Sequence, residues 1–262
     1  MTKVTEPLPY DVISAARGGM MFDKFWSAET GFKQNDNNLA LFNTRPDFFR
    51  CKQCHGWDNL GRFGSYIGRG PNPNRPNVAG MNLNAIVQNK SPRELFNLMN
   101  STTNRRDITF DFIAYTPSDS NGSAHKMPGY SQILTSAQMW DLVKFLKEGA
   151  FDVSEIYDAS YTGIYPTGSE SCFNIGKDGD AANGANYYSA NCSSCHGADG
   201  TAILVEGMTV GKFTRTKPFE VQHKVKYGQL GSSMTGAYDI TLSQIKDLYK
   251  AISDTVAFPN QP

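Results

Sequence analysis

The chain has 262 residues, and its 25 Lys and Arg are balanced by 25 Asp and Glu. Basic residues are neither in excess nor clustered, which argues against nucleic-acid binding, and no stretch approaches the ~18 apolar residues of a membrane span. The balance is uneven along the chain, because residues 1–150 hold 17 basic and 13 acidic side chains (net +4) and residues 151–262 hold 8 and 12 (net −4).

The first predicted element is a helix over residues 11–29, with Met20 and Phe25 among its apolar positions. Gly18 and Gly19 lower its helix propensity, so we interpret them as the site of a close helix crossing. Residues 31–50 are rich in Asn and Asp and read as an insertion between this helix and the motif that follows.

A Cys-x-x-Cys-His motif covers residues 51–55 and occurs again over residues 192–196. Two thiols three positions apart, with an imidazole directly after the second, suit thioether attachment of a haem whose iron takes the histidine as axial ligand. The rival interpretations are a zinc site and a thioredoxin-like redox pair. A zinc ribbon places its Cys pairs about 15–20 residues apart, whereas 137 residues separate Cys54 from Cys192. The sequence therefore predicts two covalently bound haem c groups, and leaves Cys172 without a disulfide partner.

Irregular chain rich in Gly, Pro and Asn follows the first motif, which is typical of a segment that wraps a flat ligand. A helix is predicted from Pro92 to Met99, because Ser91 and Glu94 form a capping box. A polar loop over residues 101–126 then leads to Met127 and Pro128.

The next helix begins with a capping box of Thr135 and Gln138, and the last helix begins with the same pair 106 residues later. Aligning the two helices also superposes Asp141 on Asp247. This repeat predicts an internal duplication with an enlarged first copy. We expect a haem domain over 1–150, a linker over 151–180 that packs in a fixed arrangement, and a compact haem domain over 181–262. A short helix over 217–227 would carry His223, interpreted as a packing or surface residue.

By these motifs both halves of the chain resemble the dihaem members of the class I cytochrome c superfamily. The resemblance implies an all-α fold of two tandem domains, each with a few helices and long loops around one haem. It also implies a helix crossing at Gly18 and Phe22 and its counterpart at Gly184 and Tyr188. Haem attachment falls to Cys51, Cys54, Cys192 and Cys195, with His55 and His196 as proximal and Met127 and Met234 as distal iron ligands.

Several of the implied positions have alternatives. His125 and Met81 are the other candidates for the first distal ligand, and Met208 is the other candidate for the second. Residues 76–80 resemble the segment that turns a backbone carbonyl toward the proximal histidine, which makes Pro76 a further haem-contact candidate.

The expected function is transfer of single electrons between redox partner proteins in the periplasm. The chain begins without the apolar core of a signal peptide, so we take its export signal to have been removed. We expect an electron carrier rather than an enzyme. One alternative is a dihaem oxidoreductase, thiosulfate dehydrogenase-like through Cys172 or peroxidase-like, with substrate chemistry at the first haem. Another is a subunit that docks on a larger respiratory complex.

Overall fold

A computed structural model describes residues 10–28, 37–118 and 122–261, and it is mostly helical with little strand. Part of the predicted insertion, residues 31–36, lies outside the described residues. The first eight elements are the helices α1 to α6 and the strands β1 and β2: Ala15–Ala28, Asn37–Thr44, Cys51–His55, Leu83–Gln88, Pro92–Met99, Ser136–Lys144, Asp158–Thr162 and Ser169–Phe173. The helices α7 to α11 follow: Ala181–Asn191, Ser193–His196, Val210–Thr216, Pro218–Tyr227 and Leu242–Ile252. None of the described helices is long and apolar enough to cross a membrane.

The chain divides into two compact units. The first contains Met1–Ala150, Gly163–Ser169 and Gln229–Met234. The second contains Phe151–Thr162, Glu170–Gly228 and Thr235–Pro262. Residues 151–180, predicted as a linker, thus carry the paired strands β1 and β2.

In the first unit α1 crosses α6 at Gly18. A β-carbon built on this glycine would lie 2.0 Å from the carbonyl oxygen of Asp141, so the two backbones touch and only glycine fits. The side chain of Asp141 closes the same contact, because its Oδ1 accepts a hydrogen bond from the backbone N–H of Ser14 (2.8 Å). The predicted close crossing is confirmed.

The second unit repeats this crossing between α7 and α11. A β-carbon on Gly184 would lie 1.9 Å from the carbonyl oxygen of Asp247. The Oδ1 of Asp247 accepts a hydrogen bond from the backbone N–H of Asp180 (2.7 Å), which begins α7. Asp141 and Asp247 therefore each accept a hydrogen bond from a backbone N–H at the start of the crossing helix. Their predicted superposition is confirmed.

The three predicted capping boxes are also confirmed. Ser91 and Glu94 close the start of α5, Thr135 and Gln138 the start of α6, and Thr241 and Gln244 the start of α11. In each box the hydroxyl accepts a hydrogen bond from a backbone N–H three residues ahead, and the side chain at that position accepts one in return. These caps set where each helix begins and hence which residues it presents to the crossings.

Candidate haem-binding sites

Each Cys-x-x-Cys-His motif ends in a short helix followed by glycine. The first motif is α3, and the N–H of Gly56 (φ 77°) ends it with a hydrogen bond to the carbonyl of Lys52 (3.0 Å). The second motif ends α8, and Gly197 (φ 80°) ends that helix in the same way on Ser193 (2.9 Å). Positive φ is easily reached only by glycine. One helical turn brings both thiols and the imidazole of a motif to neighbouring positions.

The first motif opens onto a cavity of about 740 Å³ within the first unit. Cys51, Cys54 and His55 line it together with Met127. Its volume lies within the about 300–1,000 Å³ of small-molecule and cofactor sites. Most of the wall is apolar, with Phe22, Val78, Leu83, Leu95, Leu142 and Leu146. A large flat apolar group bound to the two thiols and the imidazole fits this space.

The ionisation of the motif also fits a haem. Burial raises the pKa of Cys51 to about 12 and that of Cys54 to about 11, and it lowers the pKa of His55 to about 4. The imidazole is therefore neutral at pH 7, as a metal ligand must be. A redox Cys-x-x-Cys pair instead needs a thiol whose pKa is lowered. The thiols of the first motif thus suit thioether attachment better than thiol–disulfide exchange.

Charged side chains around the cavity are all of one sign. No Asp or Glu occurs among its described lining residues. Haem carries two propionate carboxylates, and a cationic wall suits them; Arg50 and Lys90 also pair with Asp23 and Glu94 behind it. The cationic lining residues are Arg50, Arg62, Lys90, Arg105 and Lys126.

Candidates for the first distal ligand all line this cavity. Met127 is half-buried, and its backbone carbonyl accepts a hydrogen bond from the N–H of Arg106 (2.9 Å). Met81 is 40% exposed. The Nδ1 of His125 accepts a hydrogen bond from the backbone N–H of Asn77 (2.9 Å), which holds that imidazole against the loop. The imidazole of His125 is thus occupied by another bond, whereas Met127 has a side chain on the cavity, and its role as ligand stays a prediction.

The loop that contains Pro76 runs beside the first motif. Pro76 is buried, and the N–H of Ala79 donates to the carbonyl of Cys54 (2.7 Å). The N–H of Val78 donates to the hydroxyl of Tyr165 (3.0 Å). Within the described part of the chain the buried Nδ1 of His55 has no hydrogen-bond partner. The proposed contact of Pro76 therefore stays a prediction.

The second motif, in the second unit, is more exposed than the first, with Cys192 half-buried and Cys195 exposed. His196 turns its Nδ1 toward the carbonyl oxygen of Ile203 at 3.4 Å, which is the kind of contact that orients a metal-bound imidazole. The hydroxyl of Tyr188 donates to the carbonyl of Gly197 (2.9 Å) and so anchors the end of α8. Burial, with a smaller effect of the Cys195 charge, raises the pKa of Cys192 to about 11.

For the remaining candidate residues, the contacts in the structure do not link the side chain to a haem-attachment motif. Met234 is half-buried, and its segment, Gln229–Met234, groups with the first unit. Met208 exchanges two backbone hydrogen bonds with Val205 just before α9. His223 is 2% exposed in α10 and packs on Tyr227 with ring centroids 4.8 Å apart. Cys172 lies on β2 and forms no disulfide with the other described cysteines.

Two buried residues beside the first motif were missed from the sequence. The hydroxyl of Tyr130 donates to the carbonyl of Phe49 (2.7 Å) and accepts from Sγ of Cys51 (3.8 Å). Arg106 is 2% exposed and donates to the carbonyl of Phe48. Tyr130 follows Met127 by three residues, a spacing that could have drawn attention to it. Nothing in the polar loop around Arg106 indicates burial.

Comparison with known proteins gives two matches. The family model described as cytochrome c matches residues 40–150. The model described as cytochrome c oxidase, cbb3-type, subunit III matches residues 179–250. Searches of curated proteins and of solved structures found no match to this chain. The two family matches, one in each half, support a c-type cytochrome with two cytochrome c domains, an electron-transfer protein with covalently bound haem c.

Proposed function

We propose that this protein is a dihaem cytochrome c that passes single electrons between redox proteins in the periplasm. One haem c would be held by Cys51 and Cys54, and the other by Cys192 and Cys195. The iron ligands would be His55 and Met127 for the first haem and His196 and Met234 for the second. When bound, haem supplies an iron that exchanges one electron, while the protein binds, orients and buries it.

One observation carries this proposal: both units place the same motif on a short helix, end it with a positive-φ glycine, and pair it with the same helix crossing. This repetition supports the proposal of one haem in each unit. Support for Met127 comes from the cavity that it shares with His55. Met234 is proposed from the sequence, because it precedes Thr241 much as Met127 precedes Thr135.

The test is a haem count on protein exported and matured with its haem. We expect two haems per chain that acid–acetone does not extract, measured by the pyridine haemochrome spectrum and by intact mass. The double variants Cys51→Ser with Cys54→Ser, and Cys192→Ser with Cys195→Ser, should each lose one haem. Fewer than two covalent haems in the wild type would contradict the proposal.

The same sample separates an electron carrier from an oxidoreductase. A haem with ligands on both faces has no open position, so cyanide should bind slowly to the oxidised protein. Rapid cyanide binding at one haem would instead favour substrate chemistry there. Stopped-flow oxidation by one-electron reagents should give two steps of one electron each.

A further inference from the structure

The side chain of Arg106 is a buried guanidinium whose positive charge is not neutralised. It is 2% exposed, and only its Nη2 has a hydrogen-bond acceptor, the carbonyl oxygen of Phe48. Its Nε and Nη1 are buried and have no partner among the described residues. Burying an ion without a counter-charge is costly, so such a group calls for an explanation.

Three aromatic rings enclose this guanidinium. Its central carbon lies 4.8 Å from the ring centroids of Phe49 and Phe112 and 5.9 Å from that of Phe48. The faces of aromatic rings attract a cation but do not cancel its charge. Within the described chain no carboxylate pairs with Arg106. Asp47, whose charge also acts on Cys54, is bound by Gln53 and Arg69.

The charge lies close to the haem-attachment site. Phe48, whose carbonyl oxygen accepts the hydrogen bond from the guanidinium, lines the cavity, and Phe49, whose ring centroid lies 4.8 Å from the guanidinium carbon, comes two residues before Cys51. Arg106 itself is not one of the described residues that line the cavity, whereas Cys54, Tyr130 and Met127 are. The guanidinium therefore lies behind the cavity wall, where it acts through its field rather than by binding a ligand.

The backbone of Arg106 is tied to the proposed distal ligand. Its N–H donates to the carbonyl of Met127 and its carbonyl accepts from the N–H of Gly129, both at 2.9 Å. The aromatic cage and the bond to Phe48 thus hold the guanidinium in one place relative to both the attachment helix α3 and the segment that contains Met127. A charge held in one position contributes the same electrostatic potential at the haem-attachment site in every copy of the protein.

We infer that the buried charge of Arg106 raises the reduction potential of the first haem. This inference rests on the proposed haem at Cys51 and Cys54. Reduction adds one electron to the iron, and a fixed nearby cation stabilises the state with one more negative charge. Burial strengthens the effect because the protein interior screens charge less than water does.

The test compares midpoint potentials of the holoprotein and its variants. Arg106→Gln and Arg106→Met remove the charge, and Met replaces a buried ion by an apolar chain that buried sites often tolerate. Arg106→Lys keeps the charge at a pH low enough for the buried ammonium to be protonated, so all midpoints are also measured at about pH 5. The control is Arg45→Gln, because Arg45 donates only to the carbonyl of Pro73 and the Oδ1 of Asn74 on the surface (3.2 Å each).

We expect the neutral variants to lower one of the two midpoints, with about a tenfold smaller equilibrium constant for reduction, or 59 mV for one electron. Arg106→Lys and Arg45→Gln should leave both midpoints near the wild-type values. The Met-to-iron charge-transfer band should remain in every variant, because the backbone bonds to Met127 and Gly129 do not involve the side chain.

Unchanged midpoints in a neutral variant that keeps two haems would overturn the inference and leave the proposed function standing. An equal shift in Arg106→Lys, or loss of the charge-transfer band together with the shift, would also overturn it. A wild-type protein without haem at Cys51 and Cys54 would instead remove the proposed function, and this inference with it.

Discussion

Asp141 has no exposed surface and holds two partners at the crossing of α1 and α6. Its Oδ1 accepts from the N–H of Ser14 (2.8 Å), and its Oδ2 accepts from Nε of Arg17 (2.5 Å). Its counterpart Asp247 is half-buried and accepts from the N–H of Asp180 (2.7 Å). The aspartate at the helix crossing therefore forms an additional ion pair in the first unit, the one between Asp141 and Arg17.

Replacing these two carboxylates should have unequal effects. Asp141→Asn places an amide that can donate where the carboxylate accepted from Arg17, and because the Arg17 side chain is 41% exposed and stays solvated, we expect it to lower the free energy of unfolding by about 2 kcal/mol. Asp247→Asn keeps an acceptor for the N–H of Asp180 and should cost about 1 kcal/mol. Denaturant unfolding followed by circular dichroism measures both. Equal losses would show that Arg17 adds nothing to the crossing.

The proposed role of Met127 as an iron ligand can be tested by substitution, with two other methionines that line the same cavity as controls. Replacing it by Leu keeps its apolar volume but removes the thioether, which stabilises reduced haem. We expect Met127→Leu to lose about half of the Met-to-iron charge-transfer band of a protein with two Met-ligated haems and to lower one midpoint potential. Met81→Leu and Met99→Leu, which also change cavity-lining residues, are the controls. A full-intensity band in Met127→Leu would transfer the role to another residue.

At the scale of elements, the two helix crossings dominate each unit. Gly184 sits inside α7, where alanine would normally stabilise the helix by about 1 kcal/mol. At this position the added β-carbon would lie 1.9 Å from a backbone oxygen of α11 and 2.9 Å from the β-carbon of Ala251. The helices would have to move apart, and the packing beneath the haem motif would change with them.

We therefore expect Gly184→Ala to destabilise the protein, although alanine is usually preferred to glycine inside a helix. It should lower the free energy of unfolding by at least about 2 kcal/mol. The matched control is Ala185→Gly on the exposed face of the same helix, which should cost only about 1 kcal/mol. Thermal or denaturant unfolding of the holoprotein distinguishes them, and a stabilised Gly184→Ala protein would disprove the close crossing.

The elements that were predicted correctly depend on short-range patterns. A capping box such as that of Thr241 and Gln244 joins residues three positions apart, so the sequence contains all of the interaction. The strands β1 and β2 were missed because their polar residues resemble a linker. The cage of Arg106 joins residues 58 positions apart, and no local pattern reports it. The residues that attach haem could be predicted because they form a short sequence motif. The residues around them could not, because they come from loops that are distant in sequence.

At the scale of the whole molecule, the two halves differ in charge. Residues 1–150 carry net +4 and residues 151–262 net −4. Two propionates on each haem would make both halves more negative by the same amount, so the difference between them would remain. Complementary charge raises the rate of encounter and salt reduces it, since the Debye length falls from about 30 Å at 0.01 M to about 10 Å at 0.1 M.

Small redox reagents of opposite charge should therefore distinguish the two haems. Oxidation of the reduced protein by ferricyanide, an anion, should give one phase that slows severalfold as salt is raised from about 0.01 M to about 0.1 M. The cationic oxidant tris(phenanthroline)cobalt(III), whose potential is close to that of ferricyanide, should reverse the pattern, with its salt-sensitive phase at the other haem. The double variant Cys192→Ser with Cys195→Ser assigns the phases, because the first haem alone should keep the ferricyanide phase. Identical salt dependence of both phases would mean that net charge does not steer either site, and that an acidic donor and a basic acceptor have no electrostatic reason to choose different haems.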